Sequence, residues 1–310
     1  MDILFSFILP AYKADFLDLS ISSILSQDYK NFELVIVNDA SPQDIDSIVN
    51  KYDDSRITYH INSENIGGRS LVEQWNKSLN YAKGDYVILA SDDDMYATDF
   101  LSTMAKLINT YPYYNVYGCR KKIITSSGNI VDVDGFLGED MSFLEFSNSL
   151  FLGVLYSSIP NYIFRRSALV ENTGFIDFPL AWYSDDATIL RLAREGIAFS
   201  NDLLFSFRFS DNNVSSLMDD RTFKLKVIAT DKFYKWFHSE IKGITSSVQL
   251  ESLYLSRVSR LFNEYIIKKT RYMIRDSSWK SILWFCLNRQ YLQCISNKQL
   301  MKMLIYRIVK

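Results

Sequence analysis

Short apolar runs alternate with stretches of helical spacing through the first hundred residues. Residues 3–9 are apolar and stop at Pro10, and a run of that length closed by a breaker reads as a buried strand. Residues 15–27 then carry Phe16, Leu19, Ile21, Ile24 and Leu25 at the spacing of one helix face. The alternation continues with a strand at 32–37, a helix-like stretch through Tyr52, a strand at 57–61, a helix at 70–82 and a strand at 86–90. This β-α-β-α-β order predicts an α/β fold, a mostly parallel Rossmann-like sheet with helices on both faces. Right-handed crossovers bring the loops at 10–13, 38–44, 65–69 and 91–96 to one edge of that sheet, where open α/β folds bind ligands.

Downstream, the pattern predicts a helix at 100–111, a strand at 116–124, a hairpin turn at 126–129 into a strand at 130–133, and a helix at 141–150. A strand at 160–165, a helix opening at 165–168, a helix within 182–196 and a strand at 203–208 follow. From Arg221 onward only helical periods remain, with Lys and Arg on the polar side. The 310 residues are 48% hydrophobic, enough for a substantial core, and 15% aromatic. The net charge of -2 hides an asymmetry, since residues 221–310 hold 18 Lys/Arg against 5 Asp/Glu.

Composition narrows the chemistry. Cys119, Cys286 and Cys294 lack metal-ligand spacing and read as reduced thiols. With His60 and His238 as the sole histidines, a zinc site or a Ser-His-Asp triad is not expected, and acid–base work falls to Asp and Glu. The apolar N-terminus has no basic leader and no apolar run is long enough to span a bilayer, so a cytoplasmic location is expected. Asp92, Asp93 and Asp94 follow the strand at 86–90. Adjacent carboxylates at such an edge call for a positive partner, and Mg²⁺ or Mn²⁺ shared with a substrate phosphate is the economical one. A polar turn capping the next helix is the alternative. Asp185 and Asp186 open another helix, where its dipole favours carboxylates.

The segments SFILPAYK, ELVIVNDASPQD, ENIGGRSLVEQWNKSL and GDYVILASDDDMY, in that order, resemble the nucleotide-binding half of family 2 glycosyltransferases, which have the GT-A fold. The resemblance implies metal-dependent transfer of a sugar from a nucleotide-diphosphate donor to an acceptor hydroxyl with inversion. It divides the chain into a catalytic domain at 1–217, with a nucleotide-binding half at 1–97 and an acceptor half at 98–217, and a basic helical region at 218–310. Pro10, Ala11 and Tyr12 match the loop against the nucleobase, Asp39 the base-reading carboxylate, and Asn65, Gly67 and Arg69 the loop beneath the nucleotide. The family's Asp-x-Asp falls on Ser91, Asp92 and Asp93. This makes Asp93 the direct metal ligand and Asp92 a ribose or water-mediated partner; the register Asp92-x-Asp94 also fits. WYSDDATILRLAREG resembles the family's Glu-Asp signature, with Ser184 in place of the Glu, Asp185 as catalytic base with Asp186 as the alternative, and Arg191 and Gly196 matching. Arg208 matches the family's arginine, placed either to offset pyrophosphate charge or to salt-bridge to the acidic sheet edge, while Ser210 stands where a His is frequent.

The basic region suits either a helix on an anionic membrane surface or a helical subdomain packed on the core. No nucleic-acid motif accompanies its charge. The expected acceptor is a glycan or a lipid-linked glycan of cell-surface polysaccharide synthesis. Two other readings compete. A sugar-phosphate nucleotidyltransferase expects a Gly-rich basic loop that ILPAYKADF lacks, and a degenerate glycan-binding or scaffold protein draws support from Ser91 and Ser184.

Overall fold

A computed structural model describes residues 3–156, 158–209, 217–244 and 249–309. The elements, in order, are β1 (Phe5–Ala11), α1 (Leu17–Leu25), β2 (Phe32–Asn38), α2 (Ile45–Val49), β3 (Ile57–Ile61), α3 (Leu71–Leu79), β4 (Tyr86–Leu89), β5 (Met95–Tyr96) and α4 (Phe100–Thr110). β6 (Val116–Ile124), β7 (Ile130–Val133), β8 (Asp140–Met141), α5 (Phe143–Leu152), β9 (Tyr162–Arg165), α6 (Arg166–Glu171), α7 (Ser184–Leu192) and β10 (Ile197–Arg208) follow. The chain ends with α8 (Asp220–Lys242), α9 (Gln249–Asp276), α10 (Trp279–Leu287) and α11 (Asn297–Val309).

Two compact units form, one from Met1–Asp177 with Thr188–Ser210, the other from Phe178–Ala187 with Asp211–Lys310. In the first, the strands make one sheet in the order β3-β2-β1-β4-β9-β6-β10-β5, with β7 on β6 and β8 on β10. β3, β2, β1 and β4 run parallel. β9 is antiparallel to β4 and to β6, so β6 and its parallel neighbour β10 point the same way as the first four. Hence Ala11, Asn38, Ile61, Leu89, Ile124 and Arg208 all end at one edge, which gathers the loops that carry the candidate chemistry.

The parallel strands read as continuous apolar runs because both faces are covered. Phe7, Leu9, Ile36 and Ile88 share a buried cluster with Leu17, Ile21 and Ile24 of α1 and Phe100 and Met104 of α4. The ring of Phe7 meets those of Phe32 and Tyr96 edge-on at 5.9 and 5.1 Å. On β10 the pairing with β6 shifts register between Ser200 and Leu203 and again before Phe205. Such bulges break the period of two; the pattern therefore shows a strand only at 203–208, where the structure has one from Ile197.

In the second unit, Phe223, Val227, Phe233 and Phe237 of α8 and Val258, Phe262 and Ile266 of α9 are buried. Asp219 caps α8 through the amides of Arg221 and Thr222, and Ser278 caps α10 through that of Ser281. Among the described residues no helix is long and apolar enough to cross a membrane.

Candidate active site

Asp39 follows β2 and is the hub of the first loops. Its amide donates to the Ala11 carbonyl at 3.0 Å. Its buried carboxylate accepts from Asn62 Nδ2 at 2.7 Å, from the Ile66 amide at 2.9 Å and from the Gly67 amide at 2.7 Å. Three donors satisfy the buried group and lace the loop after β3 to the end of β2. The helix that follows is capped by Asp44, which accepts from the Ser47 amide at 3.0 Å. A Cβ on Gly67 would lie 2.8 Å from Asp39 Oδ2. Gly67→Ala is expected to push that carboxylate off its amides and to cost about 1–3 kcal/mol, read as a lower Tm in thermal unfolding.

The three adjacent carboxylates after β4 have three different surroundings. Asp92 turns Oδ2 back to the amides of Tyr12 at 2.9 Å and Lys13 at 2.7 Å, tying the loop after β1 to that after β4. Burial pushes its carboxyl up against the pull of those amides. Asp94 is enclosed: it accepts from the Ser91 hydroxyl and, at 2.7 Å, from the Arg208 amide. Burial, with Asp93 alongside, pushes its carboxyl up to about 8. Asp93 retains some access to solvent and lies 3.7 Å from the Lys13 ammonium. None of the three caps α4, whose N-cap residue is Asp99.

Pro10 and Ala11 end β1, and Tyr12 projects from the edge with 40% of its surface exposed, its carbonyl accepting from Ser41 Oγ. Asn65 Oδ1 accepts the Gly68 amide at 2.6 Å and so shapes the loop rather than capping a helix. Arg69 is exposed and paired with Glu73 at 2.6 Å, an ion pair worth little and readily exchanged for a ligand's charge. Arg208 is buried. Its guanidinium donates to the carbonyls of Asp93 at 2.9 Å and of Thr125 and Ser126 at 3.1 Å, and lies over the Phe16 ring at 4.2 Å. It therefore braces the loop that carries the carboxylates. Ser210 lies outside the described residues.

The start of α7 belongs to the helical unit. Leu180, Ala181 and Tyr183 have φ of 61, 54 and 69°, a left-handed backbone that non-glycine residues adopt at a cost. Packing holds them there. The Tyr183 ring stacks on Phe233 at 4.6 Å, the Lys226 ammonium sits 4.4 Å over Trp182, and Ser184 Oγ accepts the Phe178 amide at 3.0 Å. Asp186 is buried, and the phenol of Tyr265 on α9 is raised well above its usual range by burial and by that nearby carboxylate. Asp185 is half-buried and accepts the Asp186 amide at 2.9 Å. Arg191, near the end of α7, donates to the Gly174 carbonyl within the sheet unit.

Lys13, Asn62 and Tyr265 were not marked by sequence. Lys13 directly follows Tyr12 in the same loop and Asn62 directly follows β3, so position at a strand end was the available signal; Tyr265 comes from a distant helix and carries none. As for a metal, among the described residues no three His, Cys, Asp or Glu side chains are arranged to hold one unaided. Asp93, with Oδ1 of Asp92, offers the one or two carboxylate ligands that Mg²⁺ or Mn²⁺ takes when donor phosphates complete its shell, so the residues fit such an ion.

Residues 6–173, more than half of the chain, match the pattern of Glycosyl transferase family 2. The chain belongs to that family. This family 2 member is 30% identical over 187 residues to a Campylobacter jejuni GalNAc(5)-diNAcBac-PP-undecaprenol beta-1,3-glucosyltransferase, a match spanning 59% of the chain and 57% of that relative. Among solved structures, S. aureus TarS 1-349 in complex with UDP superposes with a TM-score of 0.68 at 18% identity, covering 96% of this chain and 82% of that one. The mannosyltransferase PcManGT from Pyrobaculum calidifontis, in complex with GDP-Man and Mn²⁺, gives 0.57 at 16% identity, covering 99% and 86%. These likenesses show the fold, and the GT-A class expected from the sequence holds for this family 2 member, with its central sheet flanked by helices and its helical C-terminal region.

Proposed function

We propose that the chain transfers a sugar from a nucleoside-diphosphate donor, a UDP-sugar in the first instance, to a hydroxyl of a glycan or lipid-linked acceptor, with inversion, in cell-surface polysaccharide synthesis. The observation that carries this reading is the pairing of Asp39 and Asp92, which stitch the loops after β1, β2, β3 and β4 into one rim beside Tyr12. The UDP of TarS and the undecaprenol-linked substrate in the name of the Campylobacter relative support the donor and acceptor classes. Tyr12 offers its ring to the base, Asp39 holds the loop of Asn65, Gly67 and Arg69 beneath the nucleotide, and Arg208 fixes the backbone that presents Asp93.

Asp93, with Asp92, would hold Mn²⁺ or Mg²⁺, which when bound neutralises charge on the departing diphosphate. Asp185 is the base that takes the acceptor hydroxyl's proton. The burial of Asp186 near Tyr265 supports this choice, since it leaves Asp185 the more accessible of the two. The lipid-linked acceptor puts the protein on the cytoplasmic face of a membrane as a peripheral protein.

Thermal unfolding with UDP, GDP and dTDP, each with and without Mn²⁺, tests the donor reading. A nucleotide at a hundred times its Kd stabilises by about 2.7 kcal/mol, a shift of several degrees, and the expected shift is metal-dependent and largest for UDP. A set of curves that do not move with any nucleotide and metal would sink it.

A further inference from the structure

α10 and α11 each leave an apolar stripe bare. α10 exposes Trp279, Leu283 and Leu287, and α11 exposes Met301, Ile305 and Ile308. Spacings of three and four residues put each set on one side of its helix. Leu287 and Ile308 are 74% and 69% exposed, so packing within the chain does not account for them. The two helices meet at one end: the Arg307 guanidinium of α11 lies 4.8 Å over the Trp279 ring and donates to the Arg275 carbonyl at 3.1 Å.

The charge carried by the segment that bears these stripes has one sign, with the carboxylates of Asp220 and Asp276 at its start. Residues 277–310 include Lys280, Arg289, Lys298, Lys302, Arg307 and Lys310 and no Asp or Glu. Lys298 and Lys302 are exposed and adjoin Met301 on α11, and Lys280, exposed beside Trp279 on α10, pairs with Asp220 at 3.5 Å. A second copy docked on this face about a two-fold axis would bring these cations against their own counterparts. An anionic bilayer surface complements both features, taking the apolar side chains at the acyl boundary while the Lys stems reach lipid phosphates.

We infer that the exposed faces of α10 and α11 are a docking surface for an anionic lipid bilayer. The inference deepens the peripheral location proposed above and rests on that reading for its purpose. Its measurement needs neither donor nor acceptor, so a failure of lipid binding and a failure of sugar transfer are seen separately. Full-length protein is sedimented with vesicles of phosphatidylcholine alone and of phosphatidylcholine with phosphatidylglycerol. Partition is expected to be at least about tenfold stronger onto the anionic vesicles and to weaken with salt. Leu287→Glu with Ile305→Glu, and separately Lys298→Glu with Lys302→Glu, are each expected to lower it about tenfold or more with Tm unchanged, since all four side chains are exposed. Equal sedimentation of wild type and both variants, or no preference for phosphatidylglycerol, would overturn the inference. So would a dimer in ultracentrifugation that Leu287→Glu with Ile305→Glu abolishes, which would assign the face to a second copy.

Discussion

Asp185→Asn is expected to lower kcat about 10²–10⁴-fold, the contribution of a positioned general base, while the affinity for donor nucleotide stays within about twofold, because the substitution keeps the side chain's size and leaves the strand-end loops untouched. Turnover of a donor identified by screening nucleotide sugars, set beside nucleotide binding by calorimetry, reads both quantities. Asp186→Asn gives the contrast. That carboxylate is buried near Tyr265, so its loss should appear chiefly as lower stability of the helical unit. A reversal, with full turnover in Asp185→Asn and none in a well-folded Asp186→Asn, would move the base by one residue.

Asp93→Ala is expected to remove the metal-dependent part of nucleotide binding, a loss of about 100-fold or more in Mn²⁺ with little change in EDTA. Its carboxylate is the one of the three that is not turned back into the protein by amides or a hydroxyl. On the proposed reading, taking it away removes a direct ligand and leaves the Lys13 ammonium without its partner carboxylate. The fold should tolerate the change, because Asp92 still holds Tyr12 and Lys13 and Asp94 still accepts from Ser91 and Arg208. Titrating UDP against wild type and variant in both conditions checks this. Metal-dependent binding that survives in Asp93→Ala and disappears in a folded Asp94→Ala would favour the register Asp92-x-Asp94.

The parallel half of the sheet was legible because each of its strands is a short apolar run closed by a breaker, and because its helices bury one face. β5 and β8 were not, since two residues have no period. β10 lost its first half to bulges, and the antiparallel insertion of β9 between β4 and β6 follows from pairings that no local pattern encodes. At the site, the sequence showed which carboxylates stand together but not how they differ. Asp92, Asp93 and Asp94 are identical side chains in adjacent positions, and only the partners brought by Tyr12, Lys13, Ser91 and Arg208 distinguish them. The same holds for Asp185 and Asp186, of which the second is buried near Tyr265 and the first only half-buried.

The assignment of Phe178–Ala187 to the helical unit has a consequence in time. On a ribosome adding about 5–20 residues per second, Tyr183 emerges on the order of ten seconds before Tyr265, and the left-handed turns at Leu180, Ala181 and Tyr183 have nothing to hold them until α8 and α9 arrive. The strand edge proposed to hold the nucleotide can therefore form on the nascent chain, whereas the segment proposed to bear the base waits for α8 and α9. On the proposed reading, a chain released early would bind donor before it acquired the means to use it.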